Sequence, residues 1–281
     1  MAMTPERQAT FWYGCSMARH GEIIRLATRI LRAVGVNAAP AGGPGYCCGS
    51  TQEKDARVSG VMGARTVEKF NAAGRDMVVT WCPSCHANMH DLMAPVTPTN
   101  FETHHITQLL HERRESLRPF LTNPVRARVL VHAHHGFQGR APVNTDVPDL
   151  LRMIPGIRVL DHPLRIPSHM CFAIAAIPGR LAQAHRDTLA AMAEQGADTL
   201  ATIFHSCHRE AVALERGRAI RVVNWVHLLA EAMGLDYTDE YKAWRNATDP
   251  RAMIGPERLA AAGEVAYERL VEPELTRPPS L

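Results

Sequence analysis

Apolar positions change period repeatedly along the first half of the chain. TFWYG (10–14) is a short apolar run of strand type. Ile23, Ile24, Ala27, Ile30, Leu31 and Val34 then recur at helical spacing, and Gly35 follows where a C-cap belongs. A second helical pattern covers 57–73 and stops at Gly74. MVVTW (77–81) reads as a buried strand, and Pro83 stands where a helix can begin. FETHHITQLLHE (101–112) supplies another short strand and helix.

The second half repeats this order. AAGRDMVVTWCPSCHANM (72–89) aligns with EQGADTLATIFHSCHREA (194–211) at a constant offset of 122 residues. HITQLLHE (105–112) is echoed by WVHLLAE (225–231), and TFWYGC (10–15) by RVLVHAHH (128–135). Three echoes in one order argue for internal duplication. The expected fold is α/β, with two similar lobes related by that duplication, each a small, mostly parallel sheet flanked by helices. The expected domains are 1–120, 121–235 and a helical C-terminal extension, 236–281. The linker between lobes falls near SLRPFLTNPV (116–125).

Bulk numbers narrow the class. The 281 residues are 46% hydrophobic and 21% charged, ordinary for a globular protein and enough for two cores. A net charge of +3 without a basic run gives no reason to expect nucleic acid. The apolar stretch MCFAIAAI (170–177) is far short of the roughly 20 residues of a membrane span. MAMTPERQATFWYG (1–14) has no apolar core of signal-peptide length. The expectation is a cytoplasmic protein with reduced thiols. Seven cysteines, five of them before residue 90, then point to metal or redox chemistry.

Adjacent side chains point in different directions, so Cys47 and Cys48 in GYCCGS (45–50) are poorly placed to grip one small ion. Cys15 and Cys82 fall just past predicted strands, where helix N-termini favour thiolates. With Cys47, Cys48 and Cys85, five thiols can converge. A structural zinc or a cubane cluster takes four ligands, so a fifth suits an opened cluster. The plainer alternative is that CPSC is a redox or zinc pair and the other cysteines are buried thiols.

YGCS (13–16), GYCCGS (45–50) and WCPSCH (81–86) together resemble the CCG cysteine-rich domain of the heterodisulfide reductase B subunit family. The second spacing is a residue or two shorter than that family's usual one. The resemblance implies a noncubane [4Fe-4S] cluster held by Cys15, Cys47, Cys48, Cys82 and Cys85, with Cys47 and Cys48 at the catalytic centre. It also implies an oxidoreductase subunit acting on a thiol, disulfide or persulfide, for instance a carrier-bound one in a bacterial sulfur-oxidising complex. Electrons would pass through a ferredoxin-like subunit and a flavoprotein. Two other readings are an iron–sulfur subunit of a lactate or glycolate oxidation system, and a non-catalytic relay or scaffold.

The second lobe departs from this pattern. Cys207 answers Cys85, but Phe204 stands for Cys82, His135 for Cys15, and HMCFA (169–173) for the CCG segment. His135, Cys171 and Cys207, with His169, His205 or His208, are candidate ligands for one zinc or iron. Alternatively the lobe is a decayed scaffold whose histidines line a pocket or donate protons to a substrate thiolate. His104, His105 and His111 read as helical surface or lobe-contact residues, and Met62, Val67 and Phe70 as a core stripe. PAGGPG lacks a dinucleotide-binding context.

Overall fold

The computed structural model describes residues 6–50, 55–137 and 139–281. The first five residues of the stretch read for a leader lie outside them. The first lobe is a parallel sheet of β1 (Arg7–Gly14), β2 (Val36–Gly42), β3 (Met77–Thr80) and β4 (Glu102–His105), in the order β2-β1-β3-β4. Its helices are α1 (Gly21–Ala33), α2 (Ala56–Ala72), α3 (Pro83–Asn88), α4 (Ile106–Glu112) and α5 (Arg114–Leu117). The second lobe repeats the plan with β5 (Ala127–His132), β6 (Ile157–Leu160), β7 (Thr199–Thr202) and β8 (Arg221–Asn224), in the order β6-β5-β7-β8, again parallel. Its helices are α6 (Val143–Arg152), α7 (Cys171–Ala175), α8 (Arg180–Gln195), α9 (His205–Ala211) and α10 (Trp225–Ala232). The tail adds α11 (Glu240–Asn246), α12 (Pro250–Ile254), α13 (Pro256–Ala262), α14 (Glu264–Ala266) and α15 (Glu272–Thr276). The fold is α/β with two similar lobes.

Local chemistry explains the elements. All four residues of β3 are buried, as expected for a parallel strand covered on both faces. Helix α1 buries Ile23, Leu26, Ala27, Ile30 and Leu31 and leaves Arg25, Arg29 and Arg32 outside. Gly35, at φ 77°, takes the left-handed turn that ends it. The two ladders also share a register. Ala9 faces Met77 in one sheet and Val129 faces Thr199 in the other. Cys15 and His135 therefore occupy equivalent positions.

One hydrophobic core runs through both lobes. At its centre the rings of Trp81 and Trp225 stack at 6.0 Å and 10°, both fully buried. His111 on α4 reaches Asp149 (3.3 Å) and Asp146 (3.6 Å) of α6, a lobe contact. Tyr241 and Leu275 of the tail pack with Leu130, Leu200 and Val222 of the second lobe. The helical reading of His104 and His105 needs correction, because both lie on β4. His105 is buried there, its ring 3.1 Å from the Trp81 carbonyl and 2.8 Å from Thr107 Oγ1. Of the expected core stripe, Val67 and Phe70 are buried and Met62 is half-buried. Among the described residues, no helix is long and apolar enough to cross a membrane.

Candidate metal centres

Strands β1 and β3 are neighbours at the point where the winding of the first sheet reverses, the usual ligand position of an open parallel sheet. Cys15 follows β1. Cys82 is the N-cap of α3, and Cys85 lies in its first turn behind Pro83. Cys47 and Cys48 arrive on the loop after β2. That loop is tied down by Trp12 Nε1, which donates to the Tyr46 carbonyl (2.9 Å), and by Thr66 Oγ1, which donates to the Cys47 carbonyl (2.9 Å). Gly49, at φ 87°, closes it where a Cβ would fall 2.5 Å from the Ser59 carbonyl oxygen. Gly14, at φ 83°, leaves room for Cys82 and Cys85, since a Cβ there would lie 3.2 Å from Cys82 Cβ and 3.5 Å from Cys85 Sγ.

The structure brings the five first-lobe cysteines together as a chain of contacts: Cys15 to Cys47, Cys47 to Cys48, Cys48 to Cys85, and Cys85 to Cys82. Among the described residues no disulfide joins them. Thiol hydrogen bonds from Cys47 and Cys85, with Ser50 alongside, hold Cys48 well below the usual thiol range. Cys85 likewise lowers Cys82 and is itself raised by its bonds to Cys48 and Cys82. Burial raises Cys15. Asn88 Nδ2 donates to Cys48 Sγ at 3.7 Å, and Ser50 Oγ lies 3.3 Å from that sulfur. Thiolate character is thus favoured at Cys48 and, in direction, at Cys82, at the expense of Cys85. Five sulfurs strung over successive contacts suit several metal atoms better than one tetrahedral ion.

Two cavities adjoin this centre. One, of about 540 Å³, lies between the lobes and is lined by Ser84 and Asn88 on one side and Phe137, Arg140, Ser168 and His169 on the other. The other, of about 330 Å³, touches Cys48 itself between Gly60, Gly63, Leu92, Met93 and Val96.

In the second lobe Cys171 and Cys207 meet His132 and His134, all four buried, with ligand atoms within 4.8 Å of one another. His132 Nε2 is 3.1 Å from Cys171 Sγ, and His134 Nε2 is 3.3 Å from Cys207 Sγ and 3.6 Å from Cys171 Sγ. The Cys171 amide donates to Cys207 Sγ (3.4 Å). Burial opposes a Cys207 thiolate, but Cys171 and His134 hold it well below the ordinary range. Burial raises Cys171 and pushes His132 down to about 3, whereas Cys207 raises His134 against the effect of its burial. Two cysteine sulfurs and two imidazole nitrogens are the donor set of a closed zinc site.

The expected histidines are elsewhere. His135 is exposed. His169 bonds Ser84 Oγ (3.0 Å) across the inter-lobe cavity, and His205 bonds Ser16 Oγ (2.9 Å). His208 pairs with Asp239 (2.7 Å). The reason is strand periodicity. Alternate residues of the extended segment that leaves β5 face the same way, so His132 and His134 point inward together and His135 points out. Alternation within HAHH, read from a buried strand, was the available signal.

A family model described as CCG, cysteine-rich domain, matches residues 9–90. No curated protein matches the chain significantly. Among solved structures, a hypothetical protein from Helicobacter pylori is similar with TM-score 0.51 and 10% identity, over 85% of this chain and 52% of its own. The chain thus spans about half that protein's length, and the likeness is one of fold. Picrophilus torridus aspartate racemase has TM-score 0.37 and 10% identity over 84% and 98% of the two chains. Glutamate racemase from Aquifex pyrophilus has TM-score 0.35 and 11% identity over 83% and 84%.

Proposed function

We propose, on the premise that residues 9–90 are a CCG cysteine-rich domain, that this chain is the sulfur-handling iron–sulfur subunit of a heterodisulfide reductase-like complex. The observation that carries the proposal is the convergence of Cys15, Cys47, Cys48, Cys82 and Cys85 from three separate loops onto the winding reversal of the first sheet. These five would hold a noncubane [4Fe-4S] cluster. Bound there, such a cluster supplies one-electron chemistry and iron sites that accept sulfur ligands. Ferredoxin-like and flavoprotein subunits would exchange its electrons with the rest of a complex.

The surrounding residues have their own tasks. Gly14 and Gly49 let backbone and sulfurs pack where a side chain would clash. Asn88 donates to Cys48 and so favours sulfur in its anionic form at that position. The cavity at Cys48 is walled by Leu92, Met93 and Val96, which suits a thiol or disulfide carried on an aliphatic arm. On the other side, His169 and Ser84 share a hydrogen bond at the mouth between the lobes, where the imidazole can pass a proton to a departing thiolate.

The test is electron paramagnetic resonance of the reduced, anaerobically purified chain with and without aliphatic thiols and disulfides. A ligand-dependent change in the iron signal supports catalysis at this centre. A signal indifferent to every thiol and disulfide would assign the chain to electron relay instead.

A further inference from the structure

A third knot of ligating groups, built without cysteine, lies where first lobe, second lobe and tail meet. His20 precedes α1 and Glu22 sits in its first turn. His208 comes from α9, His227 from α10, and Asp239 is the N-cap of α11. The four side chains other than Asp239 are 0–2% exposed, and Asp239 is 10% exposed. His20, His208 and Asp239 have ligand atoms within 4.8 Å of one another, and Glu22 stands in the same relation to His227 and Asp239.

Hydrogen bonding leaves this knot incomplete. Both ring nitrogens of His20, Glu22 Oε1 and His227 Nε2 are buried without a hydrogen-bond partner. Glu22 Oε1 stands 3.8 Å from His20 Nδ1 and 3.7 Å from His227 Nε2, too far for a hydrogen bond. Buried polar atoms left without partners around one carboxyl group are what a missing ion leaves behind.

The protons sort the groups into ligands and supports. Thr202 Oγ1 donates to the Val223 carbonyl (3.1 Å), so it accepts from His208 Nδ1 at 3.4 Å. His208 Nε2 lies 2.7 Å from Asp239 Oδ2, a contact bridged by a proton in the metal-free chain and one that a cation would replace. The Asn224 amide donates to His227 Nδ1 (3.2 Å), so His227 carries its proton on Nε2, aimed at Glu22. His227 is therefore an orienting partner of Glu22 rather than a ligand. Burial, then the neighbouring Asp239, push Glu22 up to about 8, and a cation between the two carboxylates would remove that repulsion.

We propose that His20, His208 and Asp239, with the Glu22 carboxyl beside His20 and Asp239, bind one structural divalent cation of the zinc type that pins the two lobes and the tail together. Metal–ligand bonds of about 2.1 Å place tetrahedral ligand atoms about 3.4 Å apart, and the observed 2.7 Å and 3.8 Å pairs bracket that spacing. The site offers nitrogen and oxygen alone from buried side chains, which separates it in donor type from both cysteine centres.

The experiment uses cobalt(II) added to chelator-treated full-length chain, compared with Glu22→Gln and Asp239→Asn. Asn keeps the cap on α11 and Gln keeps the shape of Glu22. The wild-type-minus-variant difference spectrum should show d–d bands without a thiolate charge-transfer band, and each variant should bind that equivalent at least tenfold more weakly. Zinc should raise the melting temperature of the wild type more than that of either variant. A difference spectrum that is flat, or that contains a thiolate band, would overturn the proposal. Should both variants fail to fold, X-ray absorption of zinc bound to chain carrying His132→Ala, His134→Ala, Cys171→Ser and Cys207→Ser decides it. A nitrogen- and oxygen-only shell supports the site, and an all-sulfur shell rejects it.

Discussion

Trp225→Ala tests whether the two lobes share one core. The indole is fully buried and stacks on Trp81 at 6.0 Å. Its Nε1 donates to the Ile203 carbonyl (3.1 Å), but Asn224 Nδ2 also donates to that carbonyl (3.2 Å), so truncation leaves no orphaned acceptor. The cost is then lost burial and an unfilled cavity, about 3–5 kcal/mol. Trp81→Ala should cost a similar amount. Combining the two should cost less than their sum by about 0.5–1.5 kcal/mol, the worth of an aromatic pair beyond its area. Urea unfolding of the full chain, followed by far-ultraviolet circular dichroism at fixed metal content, measures all four corners of the cycle. A loss below about 1 kcal/mol for Trp225→Ala, or separate transitions for the lobes in the wild type, would refute a continuous core.

Other outcomes follow from single positions. Gly14→Ala forces a left-handed non-glycine residue, a strain of about 1–3 kcal/mol, against Cys82; its iron content should fall by at least half while circular dichroism stays native. Cys171→Ser should abolish second-lobe metal binding and, with zinc at about a hundred times its dissociation constant, remove about 2–4 kcal/mol of stability, read by melting with and without chelator. Burial pushes Asp146 up to about 6, so the folded chain retains a proton that the unfolded chain releases near pH 4. Stability should therefore fall as pH rises from about 4 to about 6, and Asp146→Asn should flatten that fall, by about 1–2 kcal/mol in unfolding free energy.

Much of the fold was legible because strand and helix periods differ and the chain states its plan twice. The 122-residue echo matched β3 with β7 and α3 with α9 as equivalent elements of the two lobes, and Gly35 and Pro83 marked helix ends for steric reasons. The five first-lobe cysteines were visible as types and spacings, and Cys15 was correctly matched to His135 in register. What periodicity at that resolution did not convey was the direction of each side chain. One residue of offset separates inward-facing His134 from exposed His135. The His20–Glu22–His208–Asp239 knot was hidden for another reason: its members come from three parts of the chain and share no spacing motif. His105 shows the same limit, since a histidine on a short strand before a helix reads as part of that helix until its buried bond to Trp81 is seen.

Iron and acid-labile sulfide analysis of anaerobically purified chain, alongside Cys48→Ala, addresses the first-lobe centre most directly. About four irons and matching sulfide per chain, lost together in Cys48→Ala, is the predicted result. Zinc without acid-labile sulfide, or a full iron complement surviving in Cys48→Ala, would contradict it.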